Sequence, residues 1–193
     1  MSRFAAIVLA AGMSSRMGSN KLLADLDGQP LIKRTVERVK ASGVDEVIVV
    51  TGHQASAVRA ALSHVRIVHN PEFTSGLASS LRAGIQAAWD FDAAFVCLGD
   101  MPLIRPEDLQ RMMAAFVDTE SVVAPTKNSL LGNPVLWGEA HFAELAALSG
   151  DRGARALLED NRDKIVTVEV ADESIMLDAD TPEALERIRE KLI

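Results

Sequence analysis

Phe4-Ala5-Ala6-Ile7-Val8-Leu9-Ala10, followed by Ala11-Gly12-Met13-Ser14-Ser15-Arg16-Met17-Gly18-Ser19-Asn20-Lys21, decides the fold. The leading run is apolar without interruption and of strand length, the pattern of a strand buried on both faces. It stops at a Gly- and Ser-rich loop carrying two cations, Arg16 and Lys21. Small residues let a backbone approach a ligand closely, and consecutive N–H groups in such a loop form an anion-binding concavity. Two full positive charges beside them suit a triphosphate. The plain alternative is an ordinary strand-to-helix turn with surface cations.

Working outward from that loop, apolar runs and helical stripes alternate. Residues 31–41 carry a stripe of Leu31, Ile32, Thr35, Val36 and Val39, closed by Gly43 in the manner of a C′ residue. Strands are expected at 47–50, 65–68, 93–98, 121–124, 135–137 and 165–170, and helices at 54–62, 79–89, 106–117, 139–148 and 153–159. Pro106 with Glu107 and Asp108 has the chemistry of a first helical turn, and Thr181-Pro182 that of an N-cap and N1 pair. The last helix shows a stripe of Leu185, Ile188 and Leu192. Repeated strand–helix units predict an α/β fold, a three-layer, mostly parallel Rossmann-like sheet. No linker, repeat or low-complexity stretch interrupts it, so one domain over residues 1–193 is expected.

Composition narrows the function. A 193-residue chain buries about 70% of its unfolded surface without staples. No apolar run approaches a membrane span, and a lone Arg3 makes a poor signal peptide. A single cysteine, Cys97, cannot form an internal disulfide, which points to a reducing cytoplasm. Its Phe95-Val96-Cys97-Leu98 context reads as a packed core thiol, and Trp89 and Trp137 likewise read as core. Net charge is −7, unevenly spread: residues 1–40 hold seven Lys/Arg against three Asp/Glu, the rest thirteen against twenty-four. Positive charge gathered round one loop suits a small anion, whereas nucleic acid asks for a long basic face. His53, His64, His69 and His141 lack metal-ligand spacing; His53 reads as a solvated turn residue.

Open α/β sheets bind ligands beyond the carboxyl ends of their strands, which brings distant loops together there. Asp100 follows the 93–98 strand, and Asp178 and Asp180 stand two apart before the last helix. In an extended segment both late carboxylates project to one face. Singly, each is as readily a turn or cap residue. Together with the first loop they make a donor set for Mg²⁺, a hard cation that takes carboxylates, phosphates and water.

Two familiar phosphate loops do not fit. Five residues separate Gly12 from Gly18 and Lys21 comes three positions later, which excludes a Walker A loop. The G-x-G-x-x-G dinucleotide spacing is absent. Leu9-Ala10-Ala11-Gly12 through Arg16-Met17-Gly18 to Lys21 instead resembles the L-A-A-G-x-S-x-R-M-G-x-x-K signature of the nucleotidyltransferase superfamily that includes the molybdenum cofactor cytidylyltransferases. Gly99-Asp100-Met101-Pro102 matches that family's G-D-M-P, and Leu177 to Glu183 resembles its L-D-I-D-T-P-E. Asn70-Pro71 with Gly76, Ser79 and Ser80 resembles its N-P-x-x-x-x-G…S segment, and Ser149 to Arg155 its S-G-D-R-G-A-R loop. Two departures stand out. Asn133 in Gly132-Asn133-Pro134-Val135 replaces the usual His, and Ala179 replaces the usual Ile.

The resemblance implies a nucleotide-diphospho-sugar-transferase-like fold and transfer of CMP from CTP to the phosphate of molybdopterin, with release of pyrophosphate. It implies that Arg16 and the Gly12–Gly18 backbone hold the β- and γ-phosphates and that Lys21 stabilises charge at the α-phosphate. Leu9, Ala10, Ala11, Gly76 and Ser80 fall to the nucleoside, the Asn133 and Arg152 regions to the acceptor. Asp100 and Asp180 take Mg²⁺, with Asp178 as a third carboxylate or behind them. A molybdoenzyme or its maturation factor is an open partner. The alternatives are a guanylyltransferase on the same cofactor, which Ala11 in place of a second Gly leans against, and transfer to a sugar or polyol phosphate. A non-catalytic cofactor carrier is a fourth reading, against which the retained Lys21, Asp100 and Asp180 argue.

Overall fold

The computed structural model describes residues 2–13 and 20–192. In chain order the elements are strand β1 (Phe4–Ala10), a two-stranded ribbon of β2 (Asp25–Leu26) and β3 (Gln29–Pro30), helix α1 (Leu31–Ala41), β4 (Glu46–Thr51), α2 (Ala55–Ala60) and β5 (Arg66–His69). There follow α3 (Leu77–Ala87), β6 (Ala93–Leu98), α4 (Pro106–Ala114), β7 (Val122–Lys127), β8 (Leu130–Leu131), β9 (Val135–Gly138), α5 (Phe142–Ala147), β10 (Ile165–Glu169) and α6 (Pro182–Glu190). Among the described residues the main sheet runs β10-β7-β9-β6-β1-β4-β5, with β8 hairpinned onto β7. All pairs on that path are parallel except those made by β9, which runs against β6 and β7.

Both faces of the sheet are covered at its centre, which is why β1, β6 and residues 47–50 of β4 are apolar without a break, while the edge strands β5 and β10 are mixed and partly exposed. Along β1, Ala6, Val8 and Ala10 face a core shared with Leu31 and Val36 of α1, Leu109 of α4 and Ile188 of α6. Ala5, Ile7 and Leu9 face the opposite core, with Leu81 and Ile85 of α3 and Phe142 and Leu145 of α5. This two-residue alternation makes β1 the keel of a three-layer structure. Chain order then reverses about it: α1 and α2 lead away to β4 and β5 on one side, and α3 returns the chain to β6 on the other. The carboxyl ends of β1 and β6 therefore flank a topological switch point, where such sheets open a crevice.

The helix stripe of α1 is the expected one, with Leu31, Ile32, Thr35, Val36 and Val39 buried. Pro106 opens α4, and Thr181 caps α6 by accepting the Ala184 N–H at 3.2 Å. Two expected helices are shorter and tighter. Residues 139–148 split into a 3₁₀ turn, Glu139–His141, and α5, and residues 153–159 hold only the 3₁₀ turn Ala154–Leu157. The buried pair Ala154 and Leu157 stand three apart, the spacing that eclipses on a 3₁₀ turn. Trp137 is fully buried as expected, but Trp89 is 49% exposed, its ring tilted against Phe142. Among the described residues no helix is long and apolar enough to cross a membrane.

Candidate active site

Lys21 is delivered by the connection between β1 and α1. Asn20 caps the 3₁₀ turn Lys21–Leu23 through its side-chain oxygen, which accepts the Leu22 N–H at 3.1 Å. Leu22 is anchored in the core, and Lys21 beside it reaches the sheet edge. Asp100 comes off the end of β6. The Gly99 N–H extends the β1–β6 ladder by bonding the Leu9 carbonyl at 3.0 Å, and the Asp100 carbonyl accepts from the Ala179 N–H, also at 3.0 Å. That second bond draws the segment before α6 across the edge. Ala179 is fully buried there while Asp178 and Asp180, on either side of it, both face one cavity. The alternation expected of an extended segment is observed.

The ammonium of Lys21 donates to Asp100 Oδ2 at 2.5 Å and also to an Asp180 carboxylate oxygen. Burial favours the neutral amine, but Asp100 and then Asp180 outweigh it and hold the lysine above its ordinary pKa. Asp178 is half-buried and lies close to the other two carboxylates. Burial first, and then the like charges of Asp100 and Asp180, push its pKa up.

The cavity measures about 380 Å³. It is lined by Leu9, Ala11 and Gly12 at the end of β1, by Lys21, Asp100, Asp178 and Asp180, and by Gly76 and Ser80. A Cβ on Gly12 would meet none of the described atoms within 4 Å, so no packing need of the described fold explains the glycine; the space beside it is open. Gly76 is different. Its φ of +110° is a conformation side chains rarely adopt, and a Cβ there would lie 2.3 Å from the Gly150 carbonyl oxygen. That carbonyl accepts the Ala78 N–H at 3.0 Å, which pins the 149–153 loop against the start of α3.

Other expected site residues stand apart. Ala10 turns its methyl into the core on the opposite face of β1 from Leu9. Asn133 and Arg152 do not line the cavity. Asn133 does lie at the same sheet edge, because antiparallel β9 starts beside the end of β6, and its N–H bonds the Ile175 carbonyl at 2.9 Å. Arg16 and Gly18 lie outside the described residues. Sequence reasoning did not single out Phe73, Leu77 and Asp151, which also line the cavity. Phe73 and Asp151 fall inside the motif segments 70–76 and 149–155, the one signal that marks them.

Among the described residues no three His, Cys, Asp or Glu side chains form a ready-made metal cage. The donor chemistry of Asp100 and Asp180 nevertheless fits a hard divalent cation that draws its remaining ligands from phosphate and water. Lys21 now bridges the two carboxylates, so it already plays the part of their cation. Cys97 is fully buried, and burial pushes its thiol far above the ordinary range, as befits a core residue. His53 is half-buried against Phe73, and buried His141 donates through Nε2 to the Glu120 carbonyl at 3.0 Å.

A family model described as the MobA-like NTP transferase domain matches residues 6–165. The chain is 30% identical over 194 residues to nicotine blue oxidoreductase of Paenarthrobacter nicotinovorans, covering 94% of each. It is 26% identical over 187 residues to the molybdenum cofactor cytidylyltransferase of Escherichia coli K12, covering 95% of this chain and 94% of that one. A solved nucleotidyl transferase from Methanothermobacter superposes with a TM-score of 0.86 at 30% identity, covering 98% and 97% of the two chains. A Mycobacterium tuberculosis H37Rv protein solved as a manganese complex gives 0.78 at 26% identity, covering 98% of each. The two named relatives describe different chemistries, so likeness to them leaves the acceptor open. The fold is that of the nucleotide-diphospho-sugar transferases. A match over this span, on a sheet whose switch point gathers Lys21 and three aspartates, makes the chain a member of the MobA-like NTP transferase family, a family of nucleotidyltransferases.

Proposed function

We propose that this chain transfers CMP from CTP to the terminal phosphate of molybdopterin and releases pyrophosphate. The observation that carries the reading is the meeting of Lys21 with Asp100 and Asp180 in a cavity that begins at Gly12. A cation, hard oxygen ligands and backbone laid open at a glycine are what a bound triphosphate asks for. The cytidylyltransferase relative, matched along nearly its whole length, supports the acceptor.

In this reaction an oxygen of the acceptor phosphate bonds to the α-phosphorus, the bond from that phosphorus to its bridging oxygen breaks, and pyrophosphate leaves with the electron pair. The attacking oxygen is already ionised at neutral pH, so no general base is needed. Placement and charge neutralisation remain. Lys21 neutralises charge developing at the α-phosphate. Arg16 and the 12–18 backbone are assigned the β- and γ-phosphates, Gly76 and Ser80 the base or ribose, and the Asn133 and Arg152 regions the acceptor. Asp100 and Asp180, with Asp178 beside them, would hold a divalent ion, Mg²⁺ in this reading. Such an ion supplies Lewis-acid neutralisation of phosphate oxygens. Ala11 lines the cavity at a position where a second glycine would leave more room, which favours CTP over the bulkier GTP.

One observation favours a second reading. Asn133 stands where the family usually carries His, near the expected acceptor, so the acceptor in that reading is a different phosphate, such as that of a sugar or polyol. Pyrophosphate release measured with each of the four nucleoside triphosphates, with and without molybdopterin, tests both. Release that needs CTP and molybdopterin together is expected. Release with CTP and a polyol phosphate but not molybdopterin selects the second reading, and no release under any pairing refutes both.

A further inference from the structure

Asn70 lies just beyond β5, 3% exposed, and its side chain is fully committed. Its oxygen accepts the Glu72 N–H at 2.9 Å, which fixes the amide so that the nitrogen faces α3. That nitrogen donates to Ser79 Oγ at 2.8 Å and to Ser80 Oγ at 3.0 Å. The two hydroxyls then differ. Ser79 passes its proton to the Glu72 carbonyl at 3.0 Å or the Gly76 carbonyl at 2.8 Å, so its hydrogen bonds close within the protein. Ser80 accepts from Asn70, has no protein acceptor for its proton among the described residues, and lines the cavity.

We propose that Asn70 is a positioning residue that fixes Ser80 as a hydrogen-bond donor toward the bound nucleotide. A hydroxyl whose lone pair is already engaged turns its proton to the open side. Ser80 therefore selects a nucleotide group that offers an acceptor at that point, a carbonyl oxygen or an unprotonated ring nitrogen, and rejects one that offers an N–H. This rests on the nucleotide-site reading above. Discrimination of this kind is strong, because a mismatched group leaves two donors facing each other.

Asn70→Asp tests the direction of the bond. Aspartate keeps an oxygen for the Glu72 N–H but turns its other oxygen on the serines, so Ser80 must give its proton inward and face the ligand as an acceptor. Calorimetric titration with CTP should show Kd raised about tenfold or more, the scale of one hydrogen bond reversed. The added negative charge alone would also weaken binding, so the same change is made on Ser80→Ala. If Asn70 works through Ser80, Asn70→Asp should there change Kd by less than about twofold, the signature of coupled residues. An undiminished effect on Ser80→Ala would overturn the proposal and leave a charge or packing role. Should Asn70→Asp fail to fold, Asn70→Ala replaces it in the same cycle, with a loss of a few-fold expected on the wild-type background and none on Ser80→Ala. A wild-type protein that binds none of the four triphosphates would overturn the nucleotide-site reading and this inference with it. Binding by the wild type without coupling in the cycle would overturn this inference alone.

Discussion

Replacing Lys21 with alanine should destabilise the fold and make it depend on divalent metal. The ammonium is the counter-charge that Asp100 and Asp180 share, and Asp178 adds a third carboxylate to the same cavity. The side chains of Lys21 and Asp100 are 16% and 10% exposed, so their contact belongs near the buried class, where stranding one partner costs about 3–5 kcal/mol. Asp180 is 43% exposed, and its share falls in the surface range of about 0–1 kcal/mol. Water entering the space left by Lys21 and proton uptake by the cluster both reduce the total. About 2–3 kcal/mol is the expected loss, equivalent to about 5–10 °C in Tm for a chain of this size.

The pH dependence follows from the sign of the lysine shift. Its folded pKa lies above the ordinary 10.5, so its stabilisation is complete below that value and is lost only as pH rises through the folded pKa. Wild type and Lys21→Ala should therefore differ by a constant amount across neutral pH. Beyond that alkaline limit, the gap should also close as acid protonates the aspartates. Mn²⁺ should close it at neutral pH as well, because a ligand at a hundred times its Kd returns about 2.7 kcal/mol. Thermal unfolding of both proteins at pH 5 and pH 8, with Mn²⁺ or chelator, reads all of this. A variant with an unchanged Tm, or a loss that Mn²⁺ does not selectively repair, would refute the role given to Lys21.

Four other substitutions bear on the site. Asp100→Asn and Asp180→Asn should each abolish turnover at limiting Mg²⁺. Asp100→Asn should also lower Tm because it takes a carboxylate from the largely buried Lys21, whereas Asp180→Asn, at the more exposed contact, should leave the fold intact. Full activity of the wild type in excess chelator would dismiss the metal. Gly76→Ala should cost about 1–3 kcal/mol in a denaturant titration from its backbone conformation alone, and it should weaken nucleotide binding because the displaced 149–153 loop carries Asp151 to the cavity. A Gly76→Ala protein with normal stability would contradict the geometry. Asn133→His should leave CTP affinity unchanged and lower the KM for molybdopterin, most at pH 6, where imidazole gains charge; no change in that KM from pH 6 to 8 would favour a different acceptor.

Much of the fold is visible in the chain because both faces of its sheet are covered. A strand buried on two sides is apolar along its buried length, so Phe4–Ala10, residues 47–50 and Ala93–Leu98 announce themselves. Helices that bury one stripe do the same, as α1 does residue for residue. What stays hidden depends on tertiary context. The direction of β9 leaves no trace in Val135-Leu136-Trp137-Gly138, since a four-residue buried strand has the same composition whichever way it runs. The β7–β8 hairpin escapes because its two-residue turn is Asn128-Ser129, at φ of 51° and 66°, where the recognisable form puts glycine second. Trp89 misleads because size and apolarity argue for burial, yet it follows the end of α3, where its ring tilts against Phe142 and half of it stays exposed.

The candidate site divides along a different line. Lys21, Asp100, Asp178 and Asp180 lie 79 and 159 residues apart along the chain, measured from Lys21 to its two bonded partners. The strand-end rule nevertheless places them together, because a parallel sheet carries every such loop to one edge. What the rule cannot supply is the state of the charges. Read together with the first loop the carboxylates make a metal donor set, whereas the fold sets a lysine between two of them. In the proposed reaction the same residues, an ion pair in the free protein, would become separate agents once phosphate oxygens compete for the ammonium. A triphosphate that draws Lys21 away uncovers Asp100 and Asp180 just as its own oxygens become available as further ligands. On this geometry nucleotide should raise metal affinity, and metal should raise nucleotide affinity by the same factor, as linkage requires.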